Sequence, residues 1–303
     1  MDSSAVDHKG RVIAAHGRHY LVETEKEAEL ITCYPRGKRS DAAVGDYVKI
    51  SRMGSDEGTI EEIMDRKTLL YRSDEVRQKL FAANVDQVII VIATEPQFST
   101  VLLGRAILAA NTAGVQPIVV LNKADLTNNL DLIRKQLEWV KAINIPLIEL
   151  SAVNTKATVE SLMPILRGKT SILLGQSAMG KSTILNALVP EANAATQEHS
   201  QALGAGRHTT TSTKMYHLPD NSGSIIDSPG FQGFGLHHLD DKDILAGFPE
   251  FYEQNQSCRF HNCTHRREPG CNVIARLNSG AVTKERYNLY KQLIEEFELQ
   301  SKY

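Results

Sequence analysis

Residues 175–182 have the composition and spacing of a loop that binds phosphate groups. They read Gly-x4-Gly-Lys-Ser and lie between an apolar run at 171–174, which favours a strand, and residues 183–188, which favour a helix. In such a unit the backbone N–H groups of the loop and the helix N-terminus surround a phosphate. We expect Lys181 to bind the β- and γ-phosphates, as a catalytic candidate, and the Ser182 hydroxyl to bind Mg²⁺. The residues predicted to bind nucleotide here are Gly175, Gln176, Ser177, Ala178, Met179, Gly180, Lys181, Ser182 and Thr183.

A second loop has the residue types that select guanine. It follows the apolar run 118–121, and open α/β sheets bind ligands at the carboxyl ends of their strands. The two carboxylate oxygens of Asp125 can accept from the ring N–H and the exocyclic amine of guanine, a donor pair that adenine lacks. We expect Lys123 to lie along the base plane and Asn122 to tie this loop to the phosphate loop. The four residues of this base loop are Asn122, Lys123, Ala124 and Asp125.

Two further segments complete the predicted site. Ser151 and Ala152 follow a strand and are expected to give the base oxygen a backbone contact. Asp227 ends another strand and is expected to hold Mg²⁺ through water, and the N–H of Gly230 is expected to contact the γ-phosphate. One threonine between the phosphate loop and Asp227 is also expected to reach Mg²⁺. The sequence offers Thr210 or its neighbours Thr209 and Thr211.

The order of these segments is unusual. In an ordinary GTPase the phosphate loop comes first and the base loop closes the domain. Here the base loop, at 122–125, precedes the phosphate loop at 175–182. This order predicts a circularly permuted GTPase.

One position bears on the rate of hydrolysis. Phe231 follows Gly230, where many GTPases have the glutamine that orients the attacking water. Phenylalanine cannot orient water, so we predict slow hydrolysis by the isolated protein and a completing group supplied from elsewhere. His208 is the candidate within the chain. The alternative is an RNA or protein partner that orders the loop and supplies or positions the group.

A cysteine-rich segment near the C-terminus has the ligand set of a zinc site. Cys258, Cys263, His265 and Cys271 offer three thiolates and one imidazole within a short stretch. Zn²⁺ favours such a tetrahedral set, and a full set of protein ligands is structural rather than catalytic. A redox disulfide is the rival interpretation, but the odd number of thiols and the histidine disfavour it. Cys33 lies far away in the sequence and is interpreted as a buried small apolar residue.

The elements predicted around these loops form three domains. Five short β-prone runs within residues 10–64 predict a small barrel, for which the OB-fold is the commonest form, although the pattern also fits an SH3-like barrel. Near-continuous apolar strands alternating with helices such as 130–142 then predict a doubly wound α/β domain. The fold class is therefore multidomain α/β with a small β-barrel. The expected domains are an OB-fold at 1–72, a permuted GTPase at 73–235 and a zinc-binding domain with a C-terminal helix at 236–303.

The composition of the chain bears on its cellular compartment and on whether it contacts nucleic acid or a membrane. The chain has 303 residues and a formal net charge of −2, which gives no general electrostatic argument for nucleic acid. No apolar run reaches the length of about 18 residues that a membrane span requires, and the N-terminus lacks the pattern of a secretory signal. Four cysteines, three of them between 258 and 271, fit a reducing compartment. We expect a cytoplasmic protein without membrane contacts.

With these motifs in view, the chain resembles the RsgA (YjeQ) family of small ribosomal subunit biogenesis GTPases along essentially its whole length. Besides the permuted order and the cysteine cluster, the segments that carry the resemblance are Arg-Gly-Lys at 36–38, Val-Gly-Asp at 44–46, Ala-Asn-Val-Asp at 83–86, Gly-Arg-His-Thr-Thr-Thr at 206–211 and Glu-Pro-Gly at 268–270. Two positions depart from the family. Ala178 stands where the family usually has glycine, and Ser228 stands where it usually has threonine. We expect Ser228 to contribute mainly through its backbone.

The resemblance implies a specific activity. It implies that the three domains dock on the small ribosomal subunit and its rRNA late in assembly. It also implies that the subunit stimulates hydrolysis of GTP to GDP and phosphate, coupled to release of the protein and of another assembly factor. Mg²⁺ with GTP and one structural Zn²⁺ are the implied cofactors, and we expect a monomer. The implied RNA-contacting surfaces are the barrel and the arginines of the cysteine-rich segment, Arg259, Arg266, Arg267 and Arg276.

Three classes of function remain open on the sequence. The first is the subunit-activated GTPase, acting as an assembly checkpoint. The second is an RNA-binding protein in which nucleotide only sets affinity, and a His208 variant that binds GTP without turnover would distinguish it from the first. The third is a P-loop ATPase or kinase of another pathway. Use of xanthosine triphosphate by an Asp125→Asn variant would exclude it.

Overall fold

The computed structural model describes residues 8–26, 28–37, 41–73, 78–192, 213–228, 236, 239–255 and 257–300. In these residues a barrel comes first along the chain, a hairpin and a helix-covered sheet follow, and a group of helices comes last. None of the described helices has the length and apolar character needed to cross a membrane.

The five predicted N-terminal strands are present and close into a barrel. They are β1 (His8–His16), β2 (His19–Thr24), β3 (Leu30–Pro35), β4 (Tyr47–Arg52) and β5 (Glu57–Ile63). Hydrogen bonds join them in the order β1-β2-β3-β5-β4, and β4 pairs back to β1. β3 runs parallel to β5, while the other neighbours are antiparallel. This closed order is that of an OB-fold and not of an SH3-like barrel. Cys33 lies fully buried in the barrel core, as predicted.

The Val-Gly-Asp segment closes the barrel against the chain that follows it. Asp46 is fully buried, and its two carboxylate oxygens accept from Nε and Nη2 of Arg66, both at 2.7 Å. The same carboxylate accepts from the backbone N–H of Ala43 at 2.7 Å. A bidentate guanidinium pair with an added backbone donor gives both oxygens of this buried carboxylate hydrogen-bond partners. The Val-Gly-Asp segment therefore stabilises the barrel through these hydrogen bonds.

A hairpin that the sequence did not predict follows the barrel. Its strands are β6 (Leu69–Ser73) and β7 (Gln78–Ala83), which pair antiparallel. Asn84 fixes its end, because its Oδ1 accepts from Lys67 N at 2.9 Å and its Nδ2 donates to Gly45 O at 3.1 Å. The hairpin crosses the domain boundary expected between residues 72 and 73.

A mainly parallel sheet forms the middle of the molecule. Its strands are β8 (Gln87–Ala93), β9 (Gln116–Asn122), β10 (Leu147–Glu149), β11 (Thr170–Leu174), β12 (Lys214–His217) and β13 (Ser224–Asp227). Their order is β10-β9-β8-β11-β13-β12, and only β12 runs antiparallel to its neighbour within this set. Every residue of β8 and β11 is buried, as their near-continuous apolar runs predicted. The loops that follow the parallel strands therefore meet at one edge.

Helices cover this sheet. They are α1 (Thr100–Thr112), α2 (Leu130–Gln136), α3 (Glu138–Ala142), α4 (Thr155–Leu166) and α5 (Lys181–Leu188). The single helix expected over 130–142 is divided into α2 and α3 at Leu137, where ψ is 1°. Leu137 is fully buried at the break, so apolar packing holds the non-helical residue in place.

The described C-terminal part of the chain is helical around the cysteine cluster. Its helices are α6 (Asp241–Ala246), α7 (Pro249–Asn255), α8 (Asn272–Asn278) and α9 (Lys284–Gln300). Arg286 on α9 is almost fully buried. Its guanidinium pairs with Glu250 at 2.5 Å and lies over the rings of Phe248 and Trp139, with its central carbon 3.7 Å and 5.3 Å from their centroids. Since Trp139 belongs to α3, this arginine joins the C-terminal helices to the helices that cover the sheet.

The barrel and the sheet are joined along one edge. Ala14 of β1 pairs with Lys214 of β12, so hydrogen bonding continues from the barrel into the parallel sheet. Nearby, Nη2 of Arg11 donates to Thr170 Oγ1 at 2.9 Å. Nε2 of His217 lies 2.8 Å from a carboxylate oxygen of Glu23. These contacts fix the barrel beside the sheet.

Candidate nucleotide site and metal cluster

Asn122 brings the predicted nucleotide loops together. Its side chain is 2% exposed, and its Nδ2 donates to Met179 O in the phosphate loop at 2.9 Å. Its Oδ1 accepts from Ala152 N, also at 2.9 Å. One amide therefore bridges the base loop, the phosphate loop and the Ser151–Ala152 segment, and both of its bonds are buried. The tie between the two loops was predicted, and the contact with Ala152 was not.

Lys123 lies between the base loop and the phosphate loop. Its backbone has φ 59°, and Thr94 Oγ1 donates to its carbonyl oxygen at 2.8 Å. Its Nζ donates to Ala178 O at 2.9 Å and to Glu95 O at 2.8 Å. The ammonium is thus held at the phosphate loop, with the aliphatic part of the side chain leading away from the base loop. Asp125, two residues on, is exposed.

The phosphate loop is closed around Lys181, the first residue of α5. Nζ of Lys181 donates to Gly175 O at 2.8 Å and to Gln176 O at 3.0 Å, so the loop itself binds the ammonium. Burial lowers the pKa of Lys181, and the charge of Asp227 opposes that shift. A buried ammonium that donates to carbonyl oxygens favours the arrival of an anion. This is the charge arrangement that a nucleotide phosphate requires.

Two glycines of the loop have no room for a side chain. Gly180 has φ 93°, and an added Cβ would overlap Nδ2 of Asn122. At Gly175 an added Cβ would overlap the carbonyl oxygen of Val91. Ala178 is different, because it occupies the left-handed region at φ 64° although it is not glycine. That conformation costs about 1 kcal/mol for a residue with a Cβ. Ala178 therefore carries backbone strain.

The remaining predicted nucleotide ligands divide into exposed and buried groups. Ser177, Ser182 and Thr183 are exposed at the opening of the loop. Asp227 is buried at the end of β13, opposite Leu173 of β11. Ser228 does more than contribute backbone, which corrects the expectation for this position. Its buried hydroxyl donates to Leu173 O at 2.6 Å, and this hydrogen bond links the chain just after β13 to β11.

Several predicted residues lie outside the described part of the chain. These are His208, Thr209, Thr210, Thr211, Gly230 and Phe231. The predictions for the catalytic histidine, the magnesium threonine and the missing glutamine therefore stay predictions.

The four predicted zinc ligands come together. One ligand atom from each of Cys258, Cys263, His265 and Cys271 lies within 4.8 Å of the others. Nδ1 of His265 is 3.7 Å from Sγ of Cys258 and 3.4 Å from Sγ of Cys271. In a tetrahedral site with Zn–S of about 2.3 Å and Zn–N of about 2.0 Å, neighbouring ligand atoms are about 3.5–3.8 Å apart. The two distances from His265 therefore match the spacing of a tetrahedral metal site, and all four ligand atoms lie close enough to surround one ion.

The electrostatics of the cluster also fit a cation. Burial raises the pKa of the thiols of Cys263 and Cys271, and it lowers the pKa of His265. Without a positive charge the thiols stay protonated, whereas a metal cation binds the thiolate form and the neutral imidazole. The donor set and its burial therefore suit a structural metal ion.

Contacts behind the ligands hold the cluster in shape. Glu268 accepts four hydrogen bonds, from the N–H and the hydroxyl of Thr264 and from the N–H groups of Arg266 and Arg267, at 2.5 to 3.0 Å. Burial alone would raise the pKa of Glu268, but these bonds bring it down to about 2. Tyr287 on α9 donates to the carbonyl oxygen of His265 at 2.9 Å. The sequence identified Glu268 only as part of a family motif and did not indicate this role.

Ser99 is a residue near the site that the sequence analysis missed. It is the N-cap of α1, and its backbone N–H donates to the side chain of Gln176 in the phosphate loop. A serine just before the apolar periodicity of 102–110 is a helix-start signal, so its capping role could have been predicted. The partner in the phosphate loop is 77 positions away and could not.

The nucleotide loops lie together at the carboxyl edge of a parallel sheet, in permuted order, beside a five-stranded barrel and a Cys3His cluster. This arrangement defines a circularly permuted P-loop GTPase. The model of the RsgA GTPase family matches residues 63–237, and the chain belongs to this family. The predicted family and fold class are thereby confirmed, and the protein is a GTP hydrolase.

Relatives match the chain over nearly its full length. The small ribosomal subunit biogenesis GTPase RsgA of Bordetella pertussis is 55% identical over 288 residues, which cover 95% of this chain and 96% of that protein. The protein of the same name from Paraburkholderia xenovorans is 50% identical over 292 residues, with 95% and 92% covered. The structure of YjeQ from Thermotoga maritima has a TM-score of 0.74 at 29% identity, with 96% and 99% covered. YloQ, described as a circularly permuted GTPase, has a TM-score of 0.71 at 26% identity, with 98% of both chains covered.

Proposed function

We propose that the protein binds the small ribosomal subunit late in the maturation of that subunit. The bound subunit stimulates hydrolysis of GTP to GDP and phosphate. Hydrolysis is coupled to release of the protein and of another assembly factor. The isolated protein hydrolyses GTP slowly.

One observation carries this proposal. The match to relatives named small ribosomal subunit biogenesis GTPases spans 95% of the chain, and it therefore includes the barrel and the metal cluster. Neither part supplies a residue of the described nucleotide loops, which all follow strands of the parallel sheet. A barrel and a metal cluster beside a GTPase sheet are suited to binding a larger partner. The names of these relatives point to a ribosomal subunit as that partner.

The proposed roles of the site residues follow from where they lie. Asp125, whose side chain is exposed, binds the guanine base. Lys181 leaves its loop carbonyls to bind the β- and γ-phosphates, and Ser182 and Asp227 hold the Mg²⁺ that accompanies GTP. We assign the remaining magnesium ligand to Thr210 or a neighbouring threonine, the γ-phosphate contact to Gly230 and the catalytic group to His208 or to the subunit.

The cysteine cluster holds a structural Zn²⁺ in this proposal. Metal binding would then stabilise the fold of the segment around the cluster, which has few large apolar residues of its own. The arginines of this segment supply contacts to rRNA phosphates. Arg259, for example, lies over the exposed ring of Phe260, with 5.5 Å between the guanidinium carbon and the ring centroid. A guanidinium and an aromatic face together suit an unpaired nucleotide.

The proposal also covers the organisation and setting of the chain. Residues 1–72 form the RNA-binding barrel, residues 73–235 the GTPase domain and residues 236–303 the zinc domain. The protein acts as a monomer in the cytoplasm, where its partner is assembled.

The proposal is tested by GTP turnover of the purified protein with and without purified small ribosomal subunits, with large subunits as the control. We expect the small subunit alone to raise turnover about a hundredfold, the scale that a supplied catalytic group can give. Turnover that no subunit changes, in a protein that binds GTP tightly, would contradict the proposal and favour a nucleotide-gated RNA-binding protein. A His208→Ala variant that binds GTP and the subunit without turnover would place the catalytic group in the chain.

Guanine recognition is tested separately. An Asp125→Asn variant is expected to bind GTP poorly and to bind xanthosine triphosphate instead. Xanthine has a carbonyl acceptor where guanine has its exocyclic amine donor, and the asparagine amide can donate to that acceptor. Asp131→Asn, which changes an exposed carboxylate on α2, is the matched control and should keep its GTP preference. A variant at Asp125 that uses both nucleotides as the wild type does would refute the assignment.

A further inference from the structure

One side chain of the phosphate loop makes a contact outside the nucleotide site. Oε1 of Gln176 accepts a hydrogen bond from the backbone N–H of Ser99 at 2.9 Å. Ser99 is the N-cap of α1, and its hydroxyl accepts from Leu102 N at 3.2 Å. The position of the phosphate loop is therefore tied to the first turn of α1.

Helix α1 is in turn packed tightly on the C-terminal helices. A Cβ added to Gly104 would overlap the side chain of Leu289 on α9, so the two helices touch at this glycine. Likewise, a Cβ added to Gly247, just after α6, would overlap Leu108 of α1. Arg105 on α1 also forms an ion pair with Glu296 on α9. Direct contacts of this kind can pass small displacements from one helix to the next.

The same helix α9 holds the metal cluster. Besides the bond from Tyr287 to His265, the hydroxyl of Tyr290 donates to Thr264 O at 3.2 Å. Nη2 of Arg266 lies 2.6 Å from a carboxylate oxygen of Glu298. Contacts therefore run without interruption from the phosphate loop through α1 and α9 to the cluster. A helix of 13 residues, the length of α1, spans about 20 Å.

We propose that Gln176 is a positioning residue that links the phosphate loop to the C-terminal helices. Gln176 holds the phosphate loop in the conformation that binds phosphate, and that conformation depends on how α9 packs against α1. Nucleotide binding therefore favours the packing of α9 against α1, and this packing in turn favours nucleotide binding. The link follows helix α1. It concerns GTP binding by the isolated protein, so it stands whether or not a ribosomal subunit is the partner.

The test is a thermodynamic cycle on the full chain, read as the affinity for a fluorescent GTP analogue without any partner. Gln176→Met removes the acceptor at nearly constant volume and is expected to weaken binding about fivefold, the equivalent of one hydrogen bond of about 1 kcal/mol. Gly104→Ala displaces Leu289 at the α1–α9 contact and should weaken binding by a similar factor. In the double variant the loss is expected to stay close to fivefold, because the two changes break one link.

Two results would overturn the proposal. One is an unchanged affinity in Gly104→Ala, and the other is a double variant in which the two losses multiply to about 25-fold. Arg105→Met repeats the cycle with a milder change at the α1–α9 contact, in case Gly104→Ala does not fold. Lys291→Ala, which alters an exposed ion pair of α9 with Glu295, is the matched control and should leave affinity unchanged.

A rescue separates positioning from general stability. Gln176→Glu keeps an acceptor oxygen for the N–H of Ser99, so the effect of Gly104→Ala should reappear in that background. Because both members of this comparison contain the new carboxylate, its repulsion of the phosphates cancels. If Gly104→Ala has no effect in the Gln176→Glu background but does in the wild type, the hydrogen bond is not the link.

Discussion

Replacing Arg286 by methionine tests what holds the C-terminal helices on the GTPase sheet. In the wild type the guanidinium is almost fully buried, and its Nη2 donates to Gly247 O at 3.1 Å in addition to pairing with Glu250. Burial lowers the pKa of Arg286 and the charge of Glu250 opposes this, but a guanidinium stays protonated in proteins. Methionine fills much of the same volume without the charge.

The magnitude follows from these contacts. Removing one partner of a buried ion pair costs about 3–5 kcal/mol, because the other charge is left without compensation. The side chain of Glu250 is 17% exposed, so some water can reach it and the lower end of that range applies. The methionine sulfur recovers about 0.5–1 kcal/mol against the rings of Phe248 and Trp139. We expect the free energy of unfolding to fall by about 2–2.5 kcal/mol, the difference between these two effects.

The assay uses the single tryptophan of the chain. Trp139 lies at the affected contact, so its fluorescence during urea titration reports both global unfolding and detachment of the C-terminal helices. A double variant, Arg286→Met with Glu250→Leu, should recover most of the loss, because no uncompensated carboxylate remains. Arg134→Met, which breaks an exposed ion pair with Glu149, should leave the midpoint unchanged. A single variant as stable as wild type, or a double variant as unstable as the single, would refute the reasoning.

Three further predictions concern the two sites. Ala178→Gly should raise the free energy of unfolding by about 0.5–1 kcal/mol, since glycine adopts φ 64° without strain. Urea denaturation would measure this change, with Ala157→Gly on α4 as the comparison variant. Asn122→Leu should weaken GTP affinity more than tenfold in a nucleotide titration, because it removes two buried bonds of about 1 kcal/mol or more each; an affinity within twofold of wild type would count against its bridging role. In protein loaded with Zn²⁺, Glu268→Gln should release the metal to a chelator faster than wild type does, because the amide can accept fewer of the four bonds and carries no charge. Equal release rates would show that the carboxylate does not support the cluster.

The sequence predicted the parts of this protein that depend on local pattern. Strands buried on both faces, such as β8 and β11, must be apolar along their length and so were recognisable. The loops at 122–125 and 175–182 were recognisable because phosphate and guanine recognition each restrict residue type at fixed spacing. The cysteine cluster was predicted for the same reason, since few residue types bind zinc.

The parts that could not be predicted depend on pairings between distant residues. The hairpin at 69–83 has short strands without a strong alternation, and its stability comes from contacts such as Asn84 with Gly45. The bond between Gln176 and Ser99 joins residues 77 positions apart. The role of Ser228 was underestimated because sequence cannot show that the carbonyl oxygen of Leu173 lies within reach of its hydroxyl. Such contacts follow from topology and not from composition.

The barrel has a consequence for the solubility of the GTPase sheet. β12 is the last strand of the parallel sheet, and an uncovered edge strand offers free N–H and C=O groups to other molecules. In the intact chain the barrel lies against that edge, through Ala14 on Lys214 and Glu23 on His217. A chain cut down to the GTPase residues would expose the edge to neighbouring copies, and we expect it to aggregate. We therefore expect the barrel to limit self-association through β12.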